Sequence, residues 1–276
     1  MAVTPKKFAS GFEFAEGPAF DREGNLYVVN IQGGYIAKIS PRGKVSRFCE
    51  TGGGPNGAKF HADGDLYVCD AKLRAILCVS PNGMFTKVVT ECDGNPLLGP
   101  NDLVFAADGG YYFSDPLGSS VQNPIGAVYR VDPKSRVTRF ASGFAFPNGV
   151  ALSPDEKRLY LAESRTRRIH SFALRADGMP AAARVHAELP PGGDGPDGMA
   201  FDVEGNLYVA YYGMGKIYVI DQWGRITKEL PAGGPNPTNV AFGGKGRKTL
   251  YITEAKTNCV YTIKNDIPGW PLFAER

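Results

Sequence analysis

The stretch Pro196-Asp197-Gly198-Met199-Ala200-Phe201-Asp202-Val203-Glu204-Gly205-Asn206-Leu207-Tyr208-Val209 decides the fold of this chain. It opens on a small polar triplet and runs through an apolar segment. It turns at Glu204-Gly205-Asn206 and enters a second apolar segment at Leu207-Tyr208-Val209. Gly and Asn tolerate positive φ, so the turn favours a tight hairpin between two strands. The pattern occurs six times. The other copies open at Ala15-Glu16-Gly17, Pro55-Asn56-Gly57, Pro100-Asn101-Asp102, Pro147-Asn148-Gly149 and Pro237-Thr238-Asn239. The openings fall at residues 15, 55, 100, 147, 196 and 237, a spacing of 40 to 49 residues. Periods of that size in strand-rich repeats indicate propeller blades rather than helical solenoids.

The remaining strands are legible in each copy. The second strand contains Leu26-Tyr27-Val28, Leu66-Tyr67-Val68, Tyr111-Tyr112-Phe113, Leu159-Tyr160-Leu161, Leu207-Tyr208-Val209 and Leu250-Tyr251-Ile252. Third strands include Ile36-Ala37-Lys38-Ile39, Val128-Tyr129-Arg130-Val131 and Ile217-Tyr218-Val219-Ile220. Such β-branched and aromatic runs, bounded by Gly, Pro, Asn and Asp, read as strands. No segment reads as an amphipathic helix. Four antiparallel strands per copy and six copies give an all-β, six-bladed β-propeller, expected as a single domain over residues 1–276. The segment Phe8-Ala9-Ser10-Gly11-Phe12 repeats Phe140-Ala141-Ser142-Gly143-Phe144, which follows the outer strand of the third copy. The N-terminal segment is therefore expected to supply the outer strand of the last blade and close the ring, leaving no free sheet edge there.

The second residue of the six openings reads Glu16, Asn56, Asn101, Asn148, Asp197 and Thr238. In a propeller, the residue entering the innermost strand faces the central channel. This column of oxygen donors therefore predicts a hub site for one hard divalent cation, held by Glu16, Asn101, Asn148 and Asp197. Two carboxylates match a divalent charge, and oxygen-only ligation favours Ca²⁺, then Mg²⁺ or Mn²⁺, over softer metals. A turn alone has no reason to use Glu in one copy and Asp in another. Thr238 reads as structural. A second polar column ends the second strands: Asn30, Asp70, Asp115, Glu163, Tyr211 and Glu254. It reads as loop capping, with Asp115 the member expected to touch ligand.

Other chemistries find little support. The three histidines, His61, His170 and His186, fall outside the hub column, and no Gly-x-Ser-x-Gly elbow is present. The glycine runs lack the lysine and helix of a phosphate loop. A net charge of +3 is too small to imply nucleic acid or membrane binding. Residues 1–7 lack the apolar core of a secretory signal, and no stretch is long enough to span a bilayer. Five cysteines, an odd number without a Cys-x-x-Cys pair, fit a reduced cytoplasmic compartment. Nothing calls for an oligomer.

The chain resembles the regucalcin/gluconolactonase family, the senescence-marker-protein type of propeller. The resemblance rests on Glu16-Gly17-Pro18, Pro100-Asn101-Asp102-Leu103, Tyr112-Phe113-Ser114-Asp115-Pro116, Pro147-Asn148-Gly149 with Ser153-Pro154-Asp155, Pro196-Asp197-Gly198, and the tail Ile267-Pro268-Gly269-Trp270-Pro271-Leu272. It implies one divalent cation in the channel, often Ca²⁺ or Zn²⁺, with ligands at Glu16, Asn148 and Asp197. Asn101 would be a further ligand or a substrate contact. It also implies an acid/base role for Asp197, an orienting role for Asp102, and hydrolysis of sugar lactones to aldonic acids. Asn101, Asp102, Asp115 and Asn56 are the candidate substrate contacts. Two positions depart from the sugar-lactone pattern: Gly99 stands where those members carry Arg, and Asp115-Pro116 where they carry Glu. A phosphotriesterase with Asp197 as nucleophile and a non-catalytic Ca²⁺-binding propeller are the competing readings.

Overall fold

The computed structural model describes residues 3–275, so Met1, Ala2 and Arg276 lie outside the described residues. Six four-stranded antiparallel sheets form the six blades. Their inner strands are Ala15–Phe20, Pro55–Phe60, Leu103–Phe105, Pro147–Leu152, Gly195–Phe201 and Pro237–Gly243, blades I to VI. Each inner strand touches the inner strands of its two neighbours, and blade VI returns to blade I, so the ring is closed. The outer strand of blade VI is Lys6–Ser10, paired antiparallel with Cys259–Lys264. The expected closure by the N-terminal strand is therefore present. One short hairpin, Glu91–Cys92 with Asn95–Pro96, is added between blades II and III.

Blade junctions are set by one aromatic rule. The second-strand tyrosine of one blade meets the phenylalanine four residues past the hub position of the next, edge to face. The pairs are Tyr27–Phe60, Tyr67–Phe105, Tyr160–Phe201, Tyr208–Phe242 and Tyr251–Phe20, with centroids 4.9 to 5.1 Å apart. Each such pair contributes roughly 0.5–1.5 kcal/mol beyond area burial. The remaining junction has Leu152 in the phenylalanine position, and Tyr112 turns to Phe140 of its own blade instead. Blades pack face to face across these junctions, five of them with the Tyr–Phe pair. This explains strands such as Leu26–Asn30 and Tyr111–Asp115 that are buried throughout rather than alternately.

The inner strands share a second device. In five blades the pairing with the second strand slips beside the hub position, between Glu16 and Ala19, Pro55 and Ala58, Pro147 and Val150, Pro196 and Met199, and Pro237 and Asn239. A bulge re-aims a side chain that regular pairing would turn into the sheet. The residue after the hub position has little room. A Cβ on Gly17 would fall 2.2 Å from the Asn56 carbonyl oxygen, and one on Gly149 would fall 2.2 Å from that of Asp197. The small residue there lets neighbouring inner strands approach, which brings the hub residues together.

The far end of the channel is closed by the C-terminal segment. The Gly269 carbonyl accepts from Arg247 Nε at 3.0 Å, and the Ala274 carbonyl accepts from Arg22 Nε at 3.1 Å. Phe273 stacks on Phe105 with centroids 5.6 Å apart. All five cysteines are free, and no helix among the described residues is long and apolar enough to cross a membrane.

Candidate functional site

The bulged inner strands of three blades, and in blade III the segment just before the inner strand, bring Glu16, Asn148, Asp197 and Asn101 to one end of the channel. Asn101, Asn148 and Asp197 line a cavity of about 260 Å³ with Phe14, Phe146 and Tyr212. Glu16 lies deeper, buried, and accepts hydrogen bonds from Gly17 N–H and, at 3.1 Å, from Asn239 Nδ2. Burial, and then the Asp102 carboxylate, push the Glu16 carboxyl up to about 7. Asp197 keeps a partial exposure into the cavity. Burial, and then the nearby Glu16 and Asp102 carboxylates, drive its carboxyl well above the usual range, against hydrogen bonds from Asn148 and the Gly198 backbone.

The electrostatics describe an acidic hub in which burial and mutual repulsion outweigh the groups that favour the charged forms. Asn148 sharpens the point. Its Nδ2 donates to Ser164 Oγ at 3.2 Å, while its buried Oδ1 has no hydrogen-bond partner. A bare buried carbonyl beside repelling carboxyls is costly unless something positive meets it. Among the described residues, no three His, Cys, Asp or Glu side chains form a metal-binding group by themselves. A cation here would therefore need the carboxamides of Asn101 and Asn148 as well as the two carboxylates, and such an all-oxygen set suits a hard ion.

The other sequence candidates lie apart from the cavity. Asn56 enters blade II at the equivalent place and is half-buried. Asp102 is buried between blades: Oδ1 accepts from Leu103 N–H at 2.9 Å, and Oδ2 accepts from Val150 N–H of the next blade at 3.3 Å. Asp115 is fully buried, and both of its oxygens are taken by backbone N–H groups, Leu98 at 2.8 Å and Gly99 at 2.5 Å. The expectation that Asp115 touches ligand thus meets a carboxylate whose acceptors face the loop before Asn101. Thr238 bridges blades VI and I, donating to the Ala15 carbonyl at 2.8 Å, which bears out its structural reading.

Three groups escaped the sequence reading. Asn239, beside Thr238, is the residue that reaches Glu16 across the last junction. Its signal was present: the column after the hub reads Gly17, Gly57, Asp102, Gly149, Gly198, Asn239, and only two members carry side chains. Phe14 and Phe146 both hold left-handed backbone, φ 63° and 64°, two residues before Glu16 and Asn148. For bulky residues this conformation is strained and persists only where the surroundings impose it. It turns both rings to the cavity. Arg165 lies 5.2 Å over the Phe146 ring and 3.3 Å from Asp194 at the rim.

A family model described as the SMP-30/Gluconolactonase/LRE-like region matches residues 14–256. The chain belongs to this family. Among its SMP-30/gluconolactonase relatives is the lactonase drp35 of Staphylococcus epidermidis, 36% identical over 220 residues that cover 76% of this chain. The match spans 66% of that relative's length, just under two thirds. The Staphylococcus aureus lactonase drp35 is 37% identical over 219 residues, 76% of this chain and 67% of its own. A gluconolactonase from Xanthomonas campestris superposes with a TM-score of 0.85 at 27% identity, covering 96% of this chain and 90% of its own. A calcium-binding regucalcin from Agrobacterium tumefaciens shares the fold, with a TM-score of 0.82 at 20% identity over 99% of both chains.

Proposed function

We propose that this chain hydrolyses a small-molecule lactone, a sugar lactone of the gluconolactone type first, to the open hydroxy acid, with one divalent cation, Ca²⁺ first, at the hub. The observation that carries the reading is the bare Asn148 Oδ1 in the cavity that Asn101, Asn148 and Asp197 line together, with the buried Glu16 carboxyl acting on Asp197 from behind it. The names of the staphylococcal and Xanthomonas relatives support the reaction class.

Glu16, Asn101, Asn148 and Asp197 would hold the ion. When bound, it would polarise the lactone carbonyl and stabilise negative charge on its oxygen. The protein's own part is proton traffic and orientation. Asp197, ionised, accepts a proton from the water whose oxygen attacks the carbonyl carbon. It returns that proton to the ring oxygen as the carbon–oxygen bond breaks, leaving a carboxylic acid and a hydroxyl. Ser164 fixes the Asn148 amide, accepting from Nδ2 and donating its own hydroxyl to the Pro196 carbonyl at 2.7 Å. It thereby links the backbone on either side of the two ligands. Phe14, Phe146 and Tyr212 wall the cavity and exclude bulk water from the ring. The test is a lactone panel run before and after chelation, with Ca²⁺, Mg²⁺, Mn²⁺ or Zn²⁺ restored. Turnover that vanishes on chelation and returns with one ion supports the reading; turnover indifferent to chelation, or absent from every lactone, overturns it.

A further inference from the structure

The cavity above the hub has one cation among the described residues of its wall. Its charged lining is Asp194, Asp197 and Arg165. The Arg165 guanidinium lies 5.2 Å over the Phe146 ring, which holds it against the cavity wall. Its one side-chain hydrogen bond is long, from Nη1 to Asp194 Oδ1 at 3.3 Å, and among the described residues its other N–H groups meet no acceptor. An arginine fork suits the two oxygens of a carboxylate taken side by side, whereas a single exposed contact contributes little. The side chain stays 45% exposed, so a ligand can reach it. The equivalent turns of blades II and VI carry Lys72 and Lys256, but neither lines the cavity. Arg167 and Arg168 are exposed outside it, and Arg168 turns to Glu188 at 3.0 Å.

The turn that carries Arg165 is pinned to the hub. Ser164, the residue before it, joins the Asn148 amide to the Pro196 carbonyl, and the Arg165 N–H donates to the Ala145 carbonyl at 3.3 Å. Thr166, the residue after it, donates to Glu163 at 2.6 Å, and Glu163 also takes the Ala145 N–H. Asp194 is placed as firmly. Its N–H donates to the Tyr212 carbonyl at 2.9 Å, and a Cβ on Gly195 would fall 2.1 Å from the Ser164 carbonyl oxygen. The backbones of both rim residues are thus fixed relative to Asn148 and Asp197, and the two side chains can exchange partners by rotation alone. We propose that Arg165 binds a carboxylate that the lactone substrate carries away from its ester, with the Asp194 carboxylate as the intramolecular group it displaces. The inference rests on the lactone reading above and narrows the substrate to sugar lactones that bear a second acid group.

The experiment compares D-glucono-γ-lactone with D-glucaro-γ-lactone, which differ by a hydroxymethyl group against a carboxylate at the end away from the ester. Turnover of both by the full chain, with Ca²⁺ supplied, gives a ratio of kcat/KM. Calorimetric titration with gluconate and glucarate gives a ratio of Kd that needs no hydrolysis. Wild type should favour the carboxylated member in both. Arg165→Gln should lower each preference by about tenfold to a hundredfold, through KM more than kcat. Arg165→Lys keeps the charge but loses the fork and should recover only part of it, and Asp194→Asn removes the competing carboxylate and should raise it a few fold. Thermal melts establish that each variant folds. Preferences that Arg165→Gln leaves unchanged, or that Asp194→Asn lowers, overturn the proposal, while turnover of either lactone keeps the hydrolysis reading standing. An Arg165-dependent preference for glucarate without turnover of either lactone supports this site and counts against hydrolysis. Wild type that binds neither acid and turns over neither lactone overturns the proposal.

Discussion

Two columns of oxygen-bearing side chains circle this ring, and in the sequence they look alike. One opens the inner strands: Glu16, Asn56, Asn101, Asn148, Asp197 and Thr238. The other ends the second strands, and five of its members cap backbone: Asn30, Asp70, Asp115, Glu163 and Glu254. In the second column the oxygens meet N–H groups of the segments leading to the hub. Glu13 N–H reaches Asn30 at 2.9 Å, Gly54 reaches Asp70 at 2.8 Å, Ala145 reaches Glu163 at 2.7 Å, and Asn236 reaches Glu254 at 2.7 Å. In the first column, oxygens remain available. The difference teaches that five members of the capping column spend acceptors fixing the chain two or three residues ahead of a hub residue, whereas Tyr211, the sixth, donates to the Pro190 carbonyl. In the hub column Asn148 Oδ1 is left without a partner, and Asp197 stays partly exposed to the cavity. Position along the strand, not residue type, separates structure from chemistry here.

The comparison breaks most visibly at Asp197. Asp197→Asn should cut lactone turnover by at least about 10²–10⁴-fold, the usual worth of positioned acid–base help, while the protein still melts as a folded chain. Near-normal turnover would remove Asp197 from the chemistry. Asp115→Ala should do the reverse. It strands two buried N–H groups, each at roughly 1–3 kcal/mol, so chemical denaturation should show a large loss of stability. Calorimetry should find cation affinity far less changed. A stable Asp115→Ala protein without activity would erase the division between the columns.

The pH dependence sharpens it further. The Glu16 carboxyl sits at about 7 in the fold against an ordinary 4.5. In cation-free protein its contribution to stability is complete below pH 4.5. It is lost as pH rises to about 7, on the order of 3 kcal/mol, because the unfolded chain ionises first. A cation that compensates the charge should therefore raise the melting temperature more at pH 8 than at pH 5, and equal shifts at both would count against a hub ion. The smallest effect is expected at Asp70. Its Oδ1 accepts from Gly54 and Leu73, but its buried Oδ2 has no partner. Asp70→Asn keeps the used acceptor and removes an uncompensated charge, so unfolding should move by less than about 1 kcal/mol, in contrast to Asp115→Ala.

Most of the architecture was legible because a propeller repeats itself. The period, the turns at Gly24, Gly64 and Gly205, and the Leu-Tyr-Val strands gave six four-stranded blades. The echo of Phe140–Phe144 in Phe8–Phe12 gave the closing strand at Lys6–Ser10. The hub members were visible as a column for the same reason. Asn239, Phe14 and Phe146 were harder to see, because each stands in a column otherwise made mostly of Gly, beside the hub column rather than in it. Its meaning depends on which blade stands next to it.

By itself the sequence determined the periodic pattern: which residues form strands, where the hairpins turn, and which residues enter each inner strand. Those are local matters of backbone preference and apolar spacing. Only the tertiary structure decided which polar side chains find partners. Hydrogen-bond satisfaction and Coulomb interaction depend on distances across blade junctions, and residues 223 positions apart in the chain, such as Glu16 and Asn239, meet only when the ring closes.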